Sequence, residues 1–443
     1  MADIPLIRDY ADDAILAYRE GHAIRVEQFL GDVAQLAALL PARGNILNLC
    51  SDRYRFVVGL SAALVRGQIS LLPPNHTPNL IEQLKQCYSD VYCLTDGLAE
   101  HPDLPTLCYP ESAGSAQAAV PSIAADQVAA LVFTSGSTGE PVPQRKIWGA
   151  LVRSARAEAE RLGLRARSGM AILGTVPAQH MYGLESTVML ATQNGLALHA
   201  GRPFYPADVL AGLEALPRPR GLVTTPVHLR ALLAESVAPP PVDFLLCATA
   251  PLSPQLAADA EARFAAPLTE IYGCTEAGQV ATRRTVGTAE WRTFPGIALR
   301  QDQHGTWARG GHVEADTLLA DVIELRDATR FLLHGRTADL VNIAGKRTSL
   351  ANLNYHLNSI AGVVDGVFVV PAGDDDSVTR LTAFVVAPGV TSDAITNALR
   401  QRIDAVFLPR PLCLVDALPR NTTGKLPREA LNQLVCQVAA KAG

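Results

Sequence analysis

The spacing of hydrophobic positions in the first third of the chain predicts helices and strands in alternation. Two stretches, 26–40 and 53–67, have apolar residues at helical spacing. Short apolar runs at 44–50, 68–74 and 90–96 have the length and composition of buried strands. Strand, crossover helix and strand in turn form parallel βαβ units, so the pattern predicts a doubly wound α/β sheet.

The same alternation continues through the middle of the chain and then changes. Strands are predicted within 169–177, 195–201, 221–226 and 239–250, with helices between them. After Thr282 the apolar runs become shorter and are interrupted by polar residues, and from about Thr337 a compact α+β segment follows. We therefore predict an α/β fold with a large N-terminal domain of doubly wound mixed sheets, residues 1–336. A small mobile α+β C-terminal domain, residues 337–443, would follow a hinge near 337–339.

Composition and charge narrow the class of protein. Hydrophobic residues make up 48% of the 443 residues and charged residues 18%, which is typical of an enzyme with a large buried core. The net charge of −5 and the scattered basic residues argue against nucleic acid as the main partner. We find neither an apolar run of about eighteen residues, as a membrane span needs, nor a secretory signal, so a cytoplasmic location is expected. The eight cysteines lack zinc spacing and are expected to be reduced thiols.

The first stretch with candidate chemistry is FTSGSTGEPVPQRK, residues 133–146, directly after an apolar run. Glycines and short hydroxyl side chains allow anionic oxygens to approach backbone N–H groups closely. The spacing differs from the P-loop pattern, because Gly136 and Gly139 are too close and Lys146 comes seven residues after Gly139. By itself, this stretch could be either a structural turn or a phosphate-binding loop.

Further motifs follow in order along the chain. TEIYGCTEAG, residues 269–278, contains an aromatic residue, a glycine, a threonine and a glutamate. Arg336 follows Asp321 by fifteen residues, and LPRNTTGKLPREAL presents Lys425 beside a glycine. Together these motifs closely resemble the adenylate-forming superfamily of acyl-CoA and aryl-CoA synthetases, adenylation domains and luciferases. The resemblance covers nearly the whole chain, and PAQHMYGL, residues 177–184, matches the acyl-substrate motif.

The resemblance implies ATP and Mg²⁺ as cofactors and a two-step reaction. A carboxylic acid attacks the α-phosphate of ATP to form an acyl-adenylate and pyrophosphate, and the acyl group then passes to a thiol while the small domain rotates. The catalytic residues would be Lys425, which bridges the acid and the α-phosphate, His180, and Glu276, which would hold Mg²⁺. The phosphate loop, the adenine contacts and the ribose contacts would be Thr134, Ser135, Gly136, Ser137, Thr138, Gly139, Lys146, Thr249, Ala250, Pro251, Tyr272, Gly273, Thr275, Asp321 and Arg336. The acid-binding residues would be His180, Tyr182, Gly183, Gly273 and Cys274.

Each of these side chains also has a structural alternative. Glu276 could be a solvated loop acid, Asp321 could cap a turn, and Lys425 could be an ordinary surface lysine. His180 lies between apolar residues and could be a packed core histidine. Asp374–Asp376 resemble a metal site but are most simply a solvated turn.

The chain departs from the superfamily pattern in three ways. Val142 stands where the phosphate loop usually has a lysine, Ala338 stands at a hinge position that is commonly Asp or Lys, and the chain is shorter than most members. We expect Lys146 or Arg145, on a loop stiffened by prolines, to supply the missing cation.

Resemblances to particular members of the superfamily indicate the substrate and the acceptor. The motif around His180 lacks the aspartate that amino-acid-activating members carry, so an amino acid is disfavoured. The compact length and the EPVPQRKIWG sequence most resemble small synthetases of aryl-polyene pigment pathways, which load a hydroxybenzoate- or cinnamate-type acid onto an acyl carrier protein. Arginines that could meet an acidic carrier are Arg402, Arg410, Arg420 and Arg428.

Two other functions remain open at this stage. Free CoA could be the acceptor, because it carries the same phosphopantetheine thiol as the carrier protein. A non-catalytic adenylate-binding sensor could have lost the phosphate-loop lysine. A kinase or an ordinary P-loop ATPase is disfavoured, because no lysine followed by Ser or Thr comes after the glycines.

Overall fold

The computed structural model describes residues 2–11, 13–42, 44–97, 103–111, 119–135, 141–165, 167, 169–336, 340–343, 346–370, 381–421, 426–427 and 429–435. The strands in chain order are β1 (Asp3–Pro5), β2 (Ile15–Arg19), β3 (His22–Arg25), β4 (Asn45–Asn48), β5 (Ile69–Leu72), β6 (Val91–Thr95), β7 (Thr106–Cys108), β8 (Ser122–Ala124), β9 (Val128–Ser135), β10 (Pro141–Ile147), β11 (Ala171–Gly174), β12 (Ala197–His199), β13 (Arg220–Thr224), β14 (Phe244–Cys247), β15 (Leu268–Cys274), β16 (Gly278–Arg283), β17 (Trp291–Thr293), β18 (Ile297–Asp302), β19 (Gly305–Gly310), β20 (Val313–Leu319), β21 (Asp321–Leu325), β22 (Arg330–Arg336), β23 (Leu340–Ile343), β24 (Lys346–Ser349), β25 (Asp365–Val369), β26 (Thr382–Val386) and β27 (Leu412–Leu414).

The helices in chain order are α1 (Val26–Leu39), α2 (Arg53–Val65), α3 (Pro78–Cys87), α4 (Trp148–Arg161), α5 (Met181–Gly183), a π-helical segment (Leu184–Met189), α6 (Leu190–Thr192), α7 (Pro206–Ala215), α8 (Pro226–Ala234), α9 (Pro254–Phe264), α10 (Leu350–Asn358), α11 (Ser392–Arg400) and a 3-10 helix (Ala405–Phe407). In the described ranges, no helix has both the length and the apolar composition that crossing a bilayer requires.

Two large sheets form the framework of the N-terminal domain. In the described residues the first sheet has the order β10-β9-β5-β4-β6-β7, and all neighbours except β9 and β10 are parallel. The second runs β21-β22-β17-β16-β15-β14-β13-β11-β12-β2-β3, with parallel pairing from β15 to β2 and antiparallel pairing at both ends. These mixed sheets confirm the predicted α/β class.

The predicted helices and parallel strands form because their apolar residues become the core. A continuous cluster of buried side chains runs from Leu6 to Phe331 and packs helices α1, α2 and α4 against the sheets. A second cluster packs α7, α8 and α9 on the other face of β11, β13 and β14. Helices therefore cover both faces of the parallel strands, as a doubly wound sheet requires.

The C-terminal domain has a small core of its own. Strands β25, β26 and β27 form a sheet, and α10 and α11 pack on it around buried residues such as Leu353, Phe368 and Leu399. The predicted boundary at 336 and the hinge at 337–339 stay predictions, because residues 337–339 lie outside the described residues.

Three local expectations are corrected. Residues 141–147, which we expected to be a loop, form strand β10, paired antiparallel to β9. The stretch 109–127, for which we predicted neither a helix nor a strand, contains β8, which pairs with β1. The hairpin of β2 and β3 near the N-terminus was not predicted at all. Each of these segments is short or contains prolines, and pairing with a partner strand decides its structure.

Candidate active site

The candidate site lies where several parallel strands of the second sheet end. Strands β11, β13, β14 and β15 are neighbours in parallel register, so their carboxyl ends reach the same edge. Ligands of open α/β sheets bind at this edge. The predicted segments around His180, Thr249 and Glu276 follow β11, β14 and β15 in the chain. All three segments therefore begin at this edge of the sheet.

His180 caps the helical segment that follows β11. Its Nδ1 accepts the backbone N–H of Tyr182 at 3.3 Å, so in the neutral imidazole the proton is on Nε2. Nε2 is then a donor of the kind that a carboxylate acid needs. His180 is partly exposed and acts as an N-cap, so it is not a packed core histidine.

Tyr182 and Gly183 shape the protein beneath this histidine. The buried Tyr182 hydroxyl lies 3.2 Å from the carbonyl oxygen of Thr224 and 3.1 Å from that of Leu246, which belong to β13 and β14. Burial raises the pKa of Tyr182, so the hydroxyl stays a donor. A Cβ at Gly183 would lie 1.9 Å from the carbonyl oxygen of Pro177, so glycine is needed for this close approach. The next six residues form the π-helical segment, a feature often found at functional sites.

The predicted metal-binding residue lies at the tip of a hairpin. Strands β15 and β16 pair Gly273 with Gln279 and Cys274 with Gly278, so residues 275–277 form the tip, and Glu276 is exposed. A Cβ at Gly273 would lie 2.5 Å from the carbonyl oxygen of Gly278. Burial raises the pKa of the Cys274 thiol to about 12, so the thiol stays protonated and is not a nucleophile.

Tyr272 and Asp321, predicted to contact adenine and ribose, are hydrogen-bonded to each other. The Tyr272 hydroxyl donates to Asp321 Oδ2 at 2.7 Å, and the ring contacts Trp291 and Phe331 edge-on at centroid distances of 5.8 Å and 5.7 Å. The ring is 8% exposed, so it is mainly a packed residue that orients the Asp321 carboxylate. Strand register places Arg336 directly opposite Asp321.

The backbone at Thr249 is strained. Its φ of +84° lies in the region that favours glycine, and for a β-branched residue this conformation is a clear outlier. Thr249 follows β14, and Ala250 and Pro251 lead to α9. Strain of this kind concentrates at functional sites, and the nucleotide contact of Thr249 stays a prediction.

Lys146 is not on a loop, as we expected, but on strand β10. It is 7% exposed, and its Nζ donates to the backbone carbonyl oxygen of Glu276 at 3.1 Å. Arg145, the other expected cation, is exposed on the same strand. The prediction that one of them lies on a stiffened loop is therefore wrong.

Several predicted residues lie partly or wholly outside the described structure. Thr134 and Ser135 end strand β9, and Arg336 ends β22, as backbone positions. Lys425 and the phosphate-loop residues Gly136, Ser137, Thr138 and Gly139 lie outside the described residues, as do Ala338, Arg428 and Asp374–Asp376.

Sequence reasoning missed three buried polar side chains beneath the hairpin: Glu158, Glu185 and His312. Glu158 has the helical spacing of the apolar face of α4, which also carries Leu151 and Ala155. A charged residue on an apolar face is a signal that could have pointed to it.

The described residues fit a magnesium ion that arrives with the nucleotide. Within those residues, no group of three or more His, Cys, Asp or Glu side chains could hold a resident metal ion. The exposed Glu276 carboxylate offers one hard oxygen ligand. Mg²⁺ in nucleotide sites keeps several waters and takes one or two carboxylates plus substrate phosphates, so this arrangement suits it.

Comparison with solved structures supports the fold. The chain superimposes on ATP-bound MatB from Rhodopseudomonas palustris with a TM-score of 0.81 over 97% of both chains, at 16% identity. It also superimposes on o-succinylbenzoate CoA synthetase from Bacillus subtilis, in complex with an acyl-adenylate, with a TM-score of 0.78 over 95% of both chains, at 20% identity.

Sequence comparison identifies the family. The chain is 30% identical over 307 residues to a 4-coumarate–CoA ligase of Rhodobacter capsulatus, covering 68% of this chain and 76% of that protein. It is 26% identical over 356 residues to a 3-hydroxybenzoate–CoA/4-hydroxybenzoate–CoA ligase of Thauera aromatica, covering 71% of this chain and 67% of the relative. The profile of the AMP-binding enzyme matches residues 46–303, and that of the AMP-binding enzyme C-terminal domain matches 358–425.

The fold and the ordered motifs therefore define an adenylate-forming enzyme, as the sequence predicted. The chain belongs to the AMP-binding enzyme family. It is an ATP-dependent, AMP-forming acid–thiol ligase.

Proposed function

We propose that this ligase activates an aromatic acid, such as a hydroxybenzoate or a cinnamate, and transfers it to a phosphopantetheine thiol. One observation carries the proposal: His180 with its Nε2 donor and the exposed Glu276 carboxylate follow the carboxyl ends of β11 and β15 in one parallel set of strands, and Tyr272 of β15 holds the Asp321 carboxylate. The relatives named above act on coumarate and hydroxybenzoates, which supports the aromatic class.

The residues have distinct roles in the proposed first step. Tyr272 holds the Asp321 carboxylate as an acceptor for paired ribose hydroxyls, and His180 donates to the acid's carboxylate. Glu276 would hold Mg²⁺, which, when bound, neutralises charge on the phosphate oxygens. Lys425, assigned by its motif, would reduce the repulsion between the two anions as the acid attacks the α-phosphate.

The thiol acceptor is either an acyl carrier protein or free CoA. The carrier protein remains our prediction from the sequence, and Arg402 and Arg410 are exposed as a carrier interface would require. Arg420 does not fit this interface, because its guanidinium group forms two hydrogen bonds with Asp365, at 2.6 Å and 2.8 Å. CoA is the second candidate, favoured by the acceptor of the relatives.

Acid-dependent exchange between ATP and pyrophosphate tests the first step. We expect exchange with 4-hydroxybenzoate or 4-coumarate, weak exchange with aliphatic acids, and loss of exchange in Lys425→Ala. Absence of exchange with every acid in an aromatic and aliphatic panel would contradict catalysis and favour a nucleotide-binding sensor. Thioester analysis with CoA and with holo-carrier protein then identifies the acceptor, and product on CoA alone would overturn the carrier prediction.

A further inference from the structure

Lys146 is a buried cation that the proposed chemistry does not yet use. It lies on β10 opposite Ala130 of β9, whereas Val142, at the usual lysine position, lies opposite Thr134 at the start of the phosphate loop. Four residues of strand separate the two positions by about 13 Å. Lys146 therefore cannot simply take the place of the absent lysine.

The ammonium group of Lys146 lies under the tip of the β15–β16 hairpin. Its Nζ donates to the backbone carbonyl oxygen of Glu276, and it lines a cavity of about 340 Å³ that Glu185 and His312 also line. Desolvation lowers the pKa of Lys146. Among the neighbouring carboxylates, Glu185 opposes this shift most strongly. Burying an amine is unfavourable unless it is paired, so its placement here needs a compensating role.

Glu185 supports the same hairpin from the π-helical segment. Its Oε1 accepts the Ser154 hydroxyl at 2.8 Å and would lie 2.9 Å from a Cβ at Gly278. The space below Gly278 is thus filled by a carboxylate that faces Lys146 across the cavity.

His312 holds the other side of the hairpin. Its Nε2 donates to the backbone carbonyl oxygen of Gln279 at 2.6 Å, while its buried Nδ1 has no hydrogen-bond partner among the described residues. Burial lowers the pKa of His312 to about 4, so the ring is neutral and the Nε2 proton is the one donated. Lys146 and His312 therefore fix two backbone carbonyls of the hairpin, one at its tip and one on β16.

We propose that Lys146 is a positioning residue whose ammonium group holds the hairpin backbone so that the Glu276 carboxylate can face the metal-bound nucleotide. This inference rests on the proposed function and assigns Lys146 no direct phosphate contact. It predicts that loss of Lys146 weakens binding of ATP with Mg²⁺ more than binding of ATP alone.

Isothermal titration of ATP into the full chain, without acid, tests whether the loss of affinity depends on Mg²⁺. Lys146→Met, which keeps most of the length of the side chain and removes its charge, should weaken binding in Mg²⁺ about tenfold, as expected for one hydrogen bond to a charged donor. Binding in EDTA should stay within about twofold, and Lys146→Arg should recover part of the loss. Arg66→Met, which removes an exposed cation at the end of helix α2, is the control and should match the wild type in both buffers.

A double-mutant cycle gives the outcomes that would overturn the proposal. In a Glu276→Gln background, Lys146→Met should have no further effect on binding in Mg²⁺, because the carboxylate to be positioned is gone. An equal loss in Mg²⁺ and in EDTA would assign Lys146 to direct nucleotide contact, and no loss would remove it from the site; either result contradicts positioning. If Lys146→Met does not fold, Lys146→Met with Glu185→Gln removes both buried charges and should show the same magnesium-specific loss. A wild type that binds ATP but supports no exchange would instead contradict the proposed function.

Discussion

Glu158 lies under strand β16 as a fully buried carboxyl group. Its Oε2 accepts the Gln279 side-chain amide at 2.9 Å, and its Oε1 has no partner in the part of the chain that the structure describes. Desolvation raises the pKa of Glu158 to about 8, and that of Glu185 to about 7. Both carboxyl groups therefore bind a proton more tightly in the folded protein than in the unfolded chain.

This difference predicts how stability depends on pH. Because the folded pKa of Glu158 is above its unfolded value, the unfolded chain releases the proton first, and stability falls as pH rises from about 4.5 to 8. Glu158→Gln should reduce this fall by an amount of the order of a few kcal/mol, with Glu185 responsible for part of what remains. Urea unfolding of the variant and the wild type at pH 5 and pH 8.5 measures this fall in the free energy of unfolding. Equal pH dependence in the variant and the wild type would show that Glu158 ionises normally.

At the scale of elements, helix α2 is tied to the strand ends of the other sheet by its first residue. The Arg53 guanidinium is 2% exposed and donates to backbone carbonyl oxygens at the ends of β11 and β12. These acceptors and their distances are Gly174 (3.0 Å), Val176 (2.7 Å), His199 (3.2 Å) and Gly201 (3.0 Å). Burial lowers the pKa of Arg53 to about 10, still well above neutral pH, so the group stays charged. One cation thus joins two sheets next to the candidate site.

Removing this cation should destabilise the fold. Arg53→Met leaves the carbonyl oxygens without their donor, and because each unsatisfied buried acceptor costs about 1–3 kcal/mol, it should lower the free energy of unfolding by several kcal/mol. Arg66→Met, at the exposed end of the same helix, should change it by less than about 0.5 kcal/mol. Denaturant unfolding compares the two. A loss for Arg53→Met no larger than that for Arg66→Met would show that water replaces the guanidinium without penalty.

At the scale of the whole molecule, Asp365 joins the two domains. It begins β25 and accepts two hydrogen bonds from Arg420, and Arg230 of α8 lies 3.8 Å from the same carboxylate. All three side chains are less than 20% exposed. Arg420 precedes Lys425, the predicted catalytic lysine, by five residues in the sequence.

Loss of the contact between domains should slow the first half-reaction. Arg230→Met removes the partner from the large domain and should lower pyrophosphate exchange about two- to fivefold, as expected for a partly buried ion pair. The exposed Arg402→Met serves as the control and should leave exchange unchanged. Exchange in Arg230→Met equal to that of the wild type would mean that the ion pair does not contribute to the first half-reaction.

The sequence alone determined those features that depend on local pattern and on motif order. Helices such as 26–39 and the parallel strands around them follow from apolar spacing, and the ordered motifs indicated the adenylate-forming class. Both signals are local, so they can be read without knowing which segments meet in space.

Only the tertiary structure decided what those segments contact. Residues 141–147 become a strand because β9, the preceding strand in the chain, supplies partners for their backbone groups, and this pairing overrides the prolines. Lys146 is buried under the backbone of Glu276, a residue 130 positions further along the chain, and no local pattern predicts that contact. Burial, hydrogen-bond partners and pKa depend on neighbours that are far apart in sequence, and these neighbours exist only once the chain is packed.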